Sequence, residues 1–165
     1  MRRYVVDVPN FPKPGVMFRD ISPLLASPLQ FQQAIDQLLE SFDLSGVDYI
    51  VGIESRGFIL GAAMAAKAGK GFIPIRKKGK LPPPVERHSY SLEYGEDTIE
   101  MKQGDGRIIL VDDVLATGGT LNAAISLCEK AGYQVEEIVV LIDLKYLNNF
   151  TWKTKQVRSL IQYQE

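Results

Sequence analysis

Two adjacent carboxylates, Asp112 and Asp113, close a run of four apolar residues from Ile108 to Val111, three of them β-branched. That is the pattern of a strand buried on both faces where it emerges at its carboxyl end. A polar turn follows through Ala116, Thr117, Gly118, Gly119 and Thr120, after which apolar residues recur as Leu121, Ala124, Ile125 and Cys128. The i, i+3, i+4, i+7 spacing predicts an amphipathic helix that ends before Gly132. In a strand, loop and helix of this kind the free N–H groups of the loop and of the first helical turn converge on one point, where the helix dipole also favours negative charge. A phosphate is the natural guest.

Other residues able to do chemistry lie in three further stretches. Glu54-Ser55-Arg56-Gly57 ends the apolar run Tyr49 to Ile53 and precedes Phe58 to Ala68, so strand, polar turn and helix occur in that order a second time. Arg76, Lys77, Lys78 and Lys80 place four cations within five residues, followed by Leu81 and three prolines. Such a run fits a nucleic-acid patch, a solvated loop or a functional loop. The regular pattern lapses from Arg76 to Asp97, which reads as a lid whose far end brings Glu93 and Tyr94 just ahead of a short strand over Thr98 to Met101. Arg19 and Asp20 interrupt the apolar residues Val16 to Ile21, and taken alone they read as a solvated ion pair. His88 lies in the least regular segment and reads as solvated, and Cys128 reads as a small core residue.

The elements that must position these residues follow from periodicity and punctuation. Val8 to Gly15 carries three prolines and predicts an extended surface arm with a turn. Ser27-Pro28 starts a helix continued by Phe31, Ile35, Leu38, Leu39 and Phe42. Gly71 to Ile75, Val135 to Leu144 and the short terminal Leu160 to Tyr163 read as further strands, with Asn148 to Lys155 as a connection. The repeated strand and helix order predicts an α/β fold: a central, mostly parallel sheet flanked by helices, with a small N-terminal arm or hood and a flexible lid loop. Loops after parallel strands share one edge, so Glu54 to Gly57 and Asp112 to Thr120 are expected to face one cleft.

The 165 residues are enough for one domain, 1–165, and 45% apolar with 24% charged residues is ordinary for a globular chain. A net charge of −1 supplies no global field for nucleic acid, so any anion site must be local. One Cys and one His exclude the usual zinc patterns. No stretch approaches the roughly 20 apolar residues that span a bilayer, and the N-terminus lacks a signal peptide's apolar run. A cytoplasmic protein without nucleic-acid or membrane partners is expected.

The phosphate loop lacks both the Gly-x-x-x-x-Gly-Lys-Ser/Thr pattern of triphosphatases and the Gly-x-Gly-x-x-Gly of dinucleotide folds. Val111 to Thr120 instead resembles the phosphoribosyl pyrophosphate (PRPP) signature of the type I phosphoribosyltransferases. Pro14 to Pro23, Glu54 to Phe58, Ile75 to Pro82, Tyr90 to Gly95 and Ser159 to Tyr163 resemble, in that order, segments of the family's adenine-specific branch. The resemblance implies transfer of the phosphoribosyl group of PRPP to adenine, giving AMP and pyrophosphate with Mg²⁺ present. It places the 5′-phosphate on Ala116, Thr117, Gly118, Gly119 and Thr120, and the ribose hydroxyls on Asp112 and Asp113. Mg²⁺ would be held mainly by PRPP near those two carboxylates, with no dedicated protein ligands. Pyrophosphate falls to Ser55, Arg56, Arg76, Lys77 and Lys80, and adenine to Met17, Phe18 and Arg19 with Val114 and Leu115 as an apolar wall. The catalytic pair would be Glu93 and Tyr94. The family's cis peptide before the serine corresponds to Glu54–Ser55.

Members that act on 6-oxopurines tend to carry a carboxylate where Ala116 stands, so its absence favours adenine and leaves proton handling to Glu93. The resemblance also implies a homodimer in which a basic-run residue serves the neighbouring site. Val114 is smaller than the leucine frequently found there, and Pro82-Pro83-Pro84 with Glu86-Arg87-His88 is an unusual lid sequence. Two other readings stand beside this one: a phosphoribosyltransferase for a 6-oxopurine, and a non-catalytic regulator that senses PRPP or binds RNA through Arg76 to Lys80. The near-neutral charge speaks against the regulator.

Overall fold

The computed structural model describes residues 1–40, 42–92 and 95–165. Strands β1 (Val6–Pro9) and β2 (Met17–Asp20) pair antiparallel with each other, Val6 opposite Asp20, apart from the main sheet. The turn between them is held by Gly15, whose N–H donates to Asn10 Oδ1 at 3.0 Å. A short helix α1 (Ser22–Leu25) leads to α2 (Pro28–Glu40), and Phe42, which the spacing had included, lies outside it. Then follow β3 (Tyr49–Ile53), α3 (Arg56–Ala68), β4 (Gly71–Lys77), β5 (Glu86–Leu92), β6 (Gly95–Met101), β7 (Gly106–Leu115), α4 (Gly119–Lys130) and β8 (Tyr133–Leu144). A small hairpin of β9 (Thr151–Trp152) and β10 (Lys155–Gln156) precedes the last strand, β11 (Arg158–Tyr163).

Seven strands form the main sheet in the order β11-β8-β7-β3-β4-β6-β5. From β11 to β4 all neighbours are parallel, while β6 runs antiparallel to both β4 and β5. The continuous apolar runs follow from burial on both faces. Ile109 and Val111 pack with residues of α2 and α3, whereas Ile108 and Leu110 pack with those of α4. Alternate side chains of one strand thus fill two cores. Helix α3 packs closely on the sheet because small residues let Phe72 in: a Cβ on Gly52 or Gly61 would sit 2.8 or 3.0 Å from its ring.

Two expectations are corrected. The regular pattern does not lapse throughout residues 76–97: β4 runs on to Lys77, and β5 and β6 form an antiparallel hairpin paired from Glu86 opposite Met101 to Leu92 opposite Gly95. The sequence hid β5 because it is the outermost strand, and an edge strand with solvent on its flank needs no apolar alternation. Strand β7 likewise does not stop at the carboxylates. Its pairing with β3 ends at Val111, but β8 keeps it extended as far as Leu115 opposite Asp143. Asp112 and Asp113 therefore sit inside a strand that has lost one neighbour.

That loss opens the cleft. Helices α3 and α4 follow adjacent strands yet pack on opposite faces, so the crevice between β3 and β7 is the switch point at which open α/β sheets bind ligands.

Candidate active site

The loop after β7 turns through Gly118, whose φ of +90° lies in the left-handed region that glycine reaches without strain. Gly118 is the N-cap of α4 and provides no side-chain capping bond, so the first-turn N–H groups stay available. Residues 114–121 line a concavity of about 70 Å³ here. Ala116, Thr117, Gly118, Gly119 and Thr120 all border it, which brings together the whole predicted phosphate set.

Asp112 and Asp113 are both buried at the mouth of this loop. Asp112 accepts the Asp113 N–H on its Oδ1 at 2.9 Å. Burial first, and then the charge of Asp113, push the Asp112 carboxyl well above the usual carboxylate range. Burial raises Asp113 as well, against the opposing pull of Arg56. Arg56 Nε lies 2.7 Å from Asp113 Oδ2, but off the N–H axis, so that oxygen accepts no aligned hydrogen bond. Two carboxylates that resist ionising together call for hydroxyl donors or a cation. Gly57 permits this crowding, since a Cβ there would lie 2.9 Å from Val111 O and 3.1 Å from Asp112 Oδ1.

Beside the carboxylates a cavity of about 240 Å³ is lined by Glu54, Ser55, Arg56, Lys77, Tyr90 and Thr120 among others. The Glu54–Ser55 peptide is cis. Glu54 organises the predicted pyrophosphate cations. Its carboxylate accepts the Lys77 N–H at 2.9 Å, Arg76 Nε at 3.3 Å and Lys80 Nζ at 2.5 Å. Burial alone would raise its pKa, but Lys80, the Lys77 N–H and Arg76 more than reverse that and hold it at about 2. The Lys77 ammonium is bound by Asp97. Arg76, Lys77 and Lys80 are thus paired with carboxylates rather than freely solvated. A fully buried carboxylate missed in the sequence, Glu100, holds its turn: Oε1 accepts the Lys80 and Leu81 N–H groups at 2.9 Å each, and Oε2 accepts Arg87 Nε at 3.1 Å.

On the other side of Arg56 lies a larger, more apolar cavity of about 490 Å³. Met17, Phe18, Arg19 and Val114 line it as expected, joined by Ala116, Leu144, Tyr146 and Leu147. Leu115 does not belong to it. Strand alternation sends Leu115 to the opposite face, where it is buried with Leu121 and Ile53. Leu144, Tyr146 and Leu147 were missed, although Leu144 ends β8 and the other two follow it, so they had to reach the same edge as the two recognised loops. Arg19 is no solvated partner of Asp20. It is 8% exposed, bonds Asp7 across the β1–β2 ladder at 2.5 Å, and stacks on the Tyr163 ring at 3.8 Å. Burial works against its charge, but Asp7 and the Tyr146 hydroxyl outweigh it and raise the pKa above the ordinary arginine value. Asp20 instead accepts from Ser22, at 2.9 Å from the N–H and 2.6 Å from the hydroxyl.

Arg56 links the two cavities. It lines both, and its guanidinium lies 4.8 Å from the centre of the Phe18 ring while its Nε faces Asp113. Glu93 and Tyr94, the predicted catalytic pair, lie outside the described residues. Among the described residues no group of three or more His, Cys, Asp or Glu is arranged to hold a metal ion, and no helix is long and apolar enough to cross a membrane.

Comparison with known proteins places this geometry. The family model for the phosphoribosyl transferase domain matches residues 24–151. The adenine phosphoribosyltransferase of Bdellovibrio bacteriovorus is 55% identical over 163 residues, 99% of this chain and 99% of that protein. Among solved structures, adenine phosphoribosyltransferase from Rhodothermus marinus superposes with a TM-score of 0.85 at 44% identity, covering 98% of this chain and 95% of that one. The Saccharomyces cerevisiae enzyme, complexed with an imino-altritol bisphosphate and adenine, gives a TM-score of 0.83 at 35% identity over 96% of this chain and 94% of its own. Similar along nearly its whole length to such enzymes, and carrying a glycine-bearing loop at its switch point, the chain belongs to the phosphoribosyltransferase family and, within it, to the adenine phosphoribosyltransferases of purine salvage.

Proposed function

We propose that the three cavities along the sheet edge divide one reaction, the transfer of the phosphoribosyl group of PRPP to adenine with release of pyrophosphate and formation of AMP. The observation that carries this reading is their order: phosphate concavity, paired carboxylates, Glu54 cleft and apolar cavity are contiguous, with Arg56 shared between the last two. The N–H groups of residues 116–120 and the Thr117 and Thr120 hydroxyls hold the 5′-phosphate. Asp112 and Asp113 accept hydrogen bonds from the ribose hydroxyls, and so relieve their own mutual repulsion on binding. As the bond from ribose C1′ to pyrophosphate breaks and one to an adenine ring nitrogen forms, the ring gains positive character that the same carboxylates stabilise.

The departing pyrophosphate gathers charge, which Arg56, Arg76, Lys77 and Lys80 meet with Ser55 at their side. In this reading Arg76, Lys77 and Lys80 exchange their carboxylate partners for phosphate oxygens. Adenine occupies the apolar cavity between Phe18 and Val114, with Leu144 and Leu147 extending the wall. Glu93, between β5 and β6, takes the ring nitrogen's proton, and Tyr94 helps exclude water.

Mg²⁺ fits this arrangement without a cage. Asp113 Oδ2 is buried without an aligned donor and Asp112 resists ionisation, so the pair has capacity for an ion that PRPP itself carries. When bound, the ion would neutralise charge on the leaving pyrophosphate. The same family reading carries a single domain, a homodimer and a cytoplasmic setting.

Incubation of the purified protein with PRPP, Mg²⁺ and adenine, hypoxanthine or guanine in turn tests the assignment. AMP from adenine alone is expected. Preferential IMP or GMP would make it a 6-oxopurine enzyme, and no nucleotide from any base would leave the regulator.

A further inference from the structure

At the carboxyl end of β8, Asp143 is fully buried and stands beside Leu115 of β7 in the sheet register. A buried carboxylate is costly unless paired, and this one has two partners from the segment that follows it. Lys145 Nζ lies 2.7 Å from Oδ2, and Asn148 Nδ2 donates to Oδ1 at 3.1 Å. Asn148 has further roles: the same Nδ2 donates to Leu144 O at 2.9 Å, and its Oδ1 accepts the Phe150 N–H at 3.0 Å. The backbone from 144 to 150 is therefore wrapped around one amide side chain that a buried charge aims.

That wrapped turn delivers the Phe150 ring to the phosphate loop. The ring packs on Gly118 so closely that a Cβ there would lie 2.5 Å from Cδ2 and 3.2 Å from Cε2. Gly118 is the left-handed residue from which α4 starts, and its conformation sets where the loop N–H groups point. Interiors transmit displacement because they are close-packed, so a shift of Phe150 shifts the loop.

We propose that Asn148 and Phe150 are positioning residues for the 5′-phosphate. Asp143 fixes Asn148, Asn148 fixes the turn that carries Phe150, and Phe150 holds Gly118 in the conformation that makes the concavity. The proposal rests on the reading of residues 116–120 as the 5′-phosphate cradle.

Two probes isolate the effect: ribose 5-phosphate, which carries the 5′-phosphate without base or leaving group, and pyrophosphate, which engages only the Glu54 cleft. Their dissociation constants are measured by calorimetry for the wild type and for Asn148→Ala, Phe150→Ala, Phe150→Leu and Thr120→Ala. Asn148→Ala and Phe150→Ala are expected to weaken ribose 5-phosphate about tenfold, the scale of one charge-assisted hydrogen bond, while pyrophosphate changes less than about twofold. Phe150→Leu keeps an apolar filler against Gly118 and is expected to restore most of the binding. Equal losses for both probes, or none, overturn the proposal by reducing the network to general packing; Asn148→Ala, at a half-buried site, decides the matter if Phe150→Ala fails to fold. Should Thr120→Ala leave ribose 5-phosphate unaffected, the cradle reading itself fails and takes the proposal with it. If Thr120→Ala weakens binding and Asn148→Ala does not, only the positioning role is lost.

Discussion

Asp112 and Asp113 work against the fold that holds them. Each is buried, each has its pKa raised, and Arg56, whose charge opposes both shifts, makes a direct ion pair only with Asp113. Sites of this kind are kept for function at the expense of stability. Asp112→Asn retains an oxygen able to accept the Asp113 N–H while removing one of the two charges. The variant is expected to unfold about 1 kcal/mol later, roughly 2–4 °C higher without ligand, and to lose about a hundredfold or more in kcat/KM. A thermal melt and a steady-state assay check both halves, and an unchanged or lower melting point would refute the idea of a strained pair. At this scale the sequence was most legible where chemistry demands unusual neighbours, as in the paired carboxylates and the glycine-bearing loop. It was blind to partners distant along the chain: nothing near Arg19 points to Asp7 or Tyr163, and nothing in the alternation of β6 announces that Glu100 is buried.

Elements meet at Glu54, which leaves the end of β3, binds the last residues of β4 and catches the turn carrying Lys80. With a folded-state pKa of about 2 against an ordinary 4.5, its contribution is fully present above about pH 4.5 and is lost as pH falls toward 2. Allowing for solvent screening at half-exposed Lys80, that contribution is about 1–2 kcal/mol. Glu54→Gln should therefore lower the unfolding free energy from a urea titration at pH 6 by this amount, with the gap to wild type narrowing steadily below pH 4.5. A gap that stays constant with pH would mean that the carboxylate's charge is not what joins the elements. Buried strands and amphipathic helices were readable from their spacing, because most interior positions are apolar. The β5–β6 hairpin was not, because its outer strand borders solvent and Glu86, Arg87, His88 and Ser89 look like any loop.

Across the whole molecule the predicted architecture holds: a mostly parallel sheet, helices on both faces and a cleft where the connections diverge. Ligand binding should tighten that cleft against unfolding. PRPP with Mg²⁺ at about a hundred times its dissociation constant is expected to add about 2.7 kcal/mol, a rise of roughly 5–10 °C in the melting point. A thermal-shift titration in which PRPP moves the wild type no further than it moves Asp112→Asn would show that the carboxylates contribute nothing to binding.

The stacking of Arg19 on Tyr163, with the Arg2 guanidinium 4.3 Å from the centre of the same ring, brings residues far apart in the chain together beside the apolar cavity. Synthesis runs in one direction, so a residue whose packing partner lies later in the chain must wait for it. Every residue of the glycine-bearing loop and of α4 has been made once Lys130 is added, but the Phe150 that packs on Gly118 and the Tyr163 ring on which Arg19 stacks both come later. The loop and the arm thus share one dependence: both are finished only by the segment from Phe150 to Tyr163.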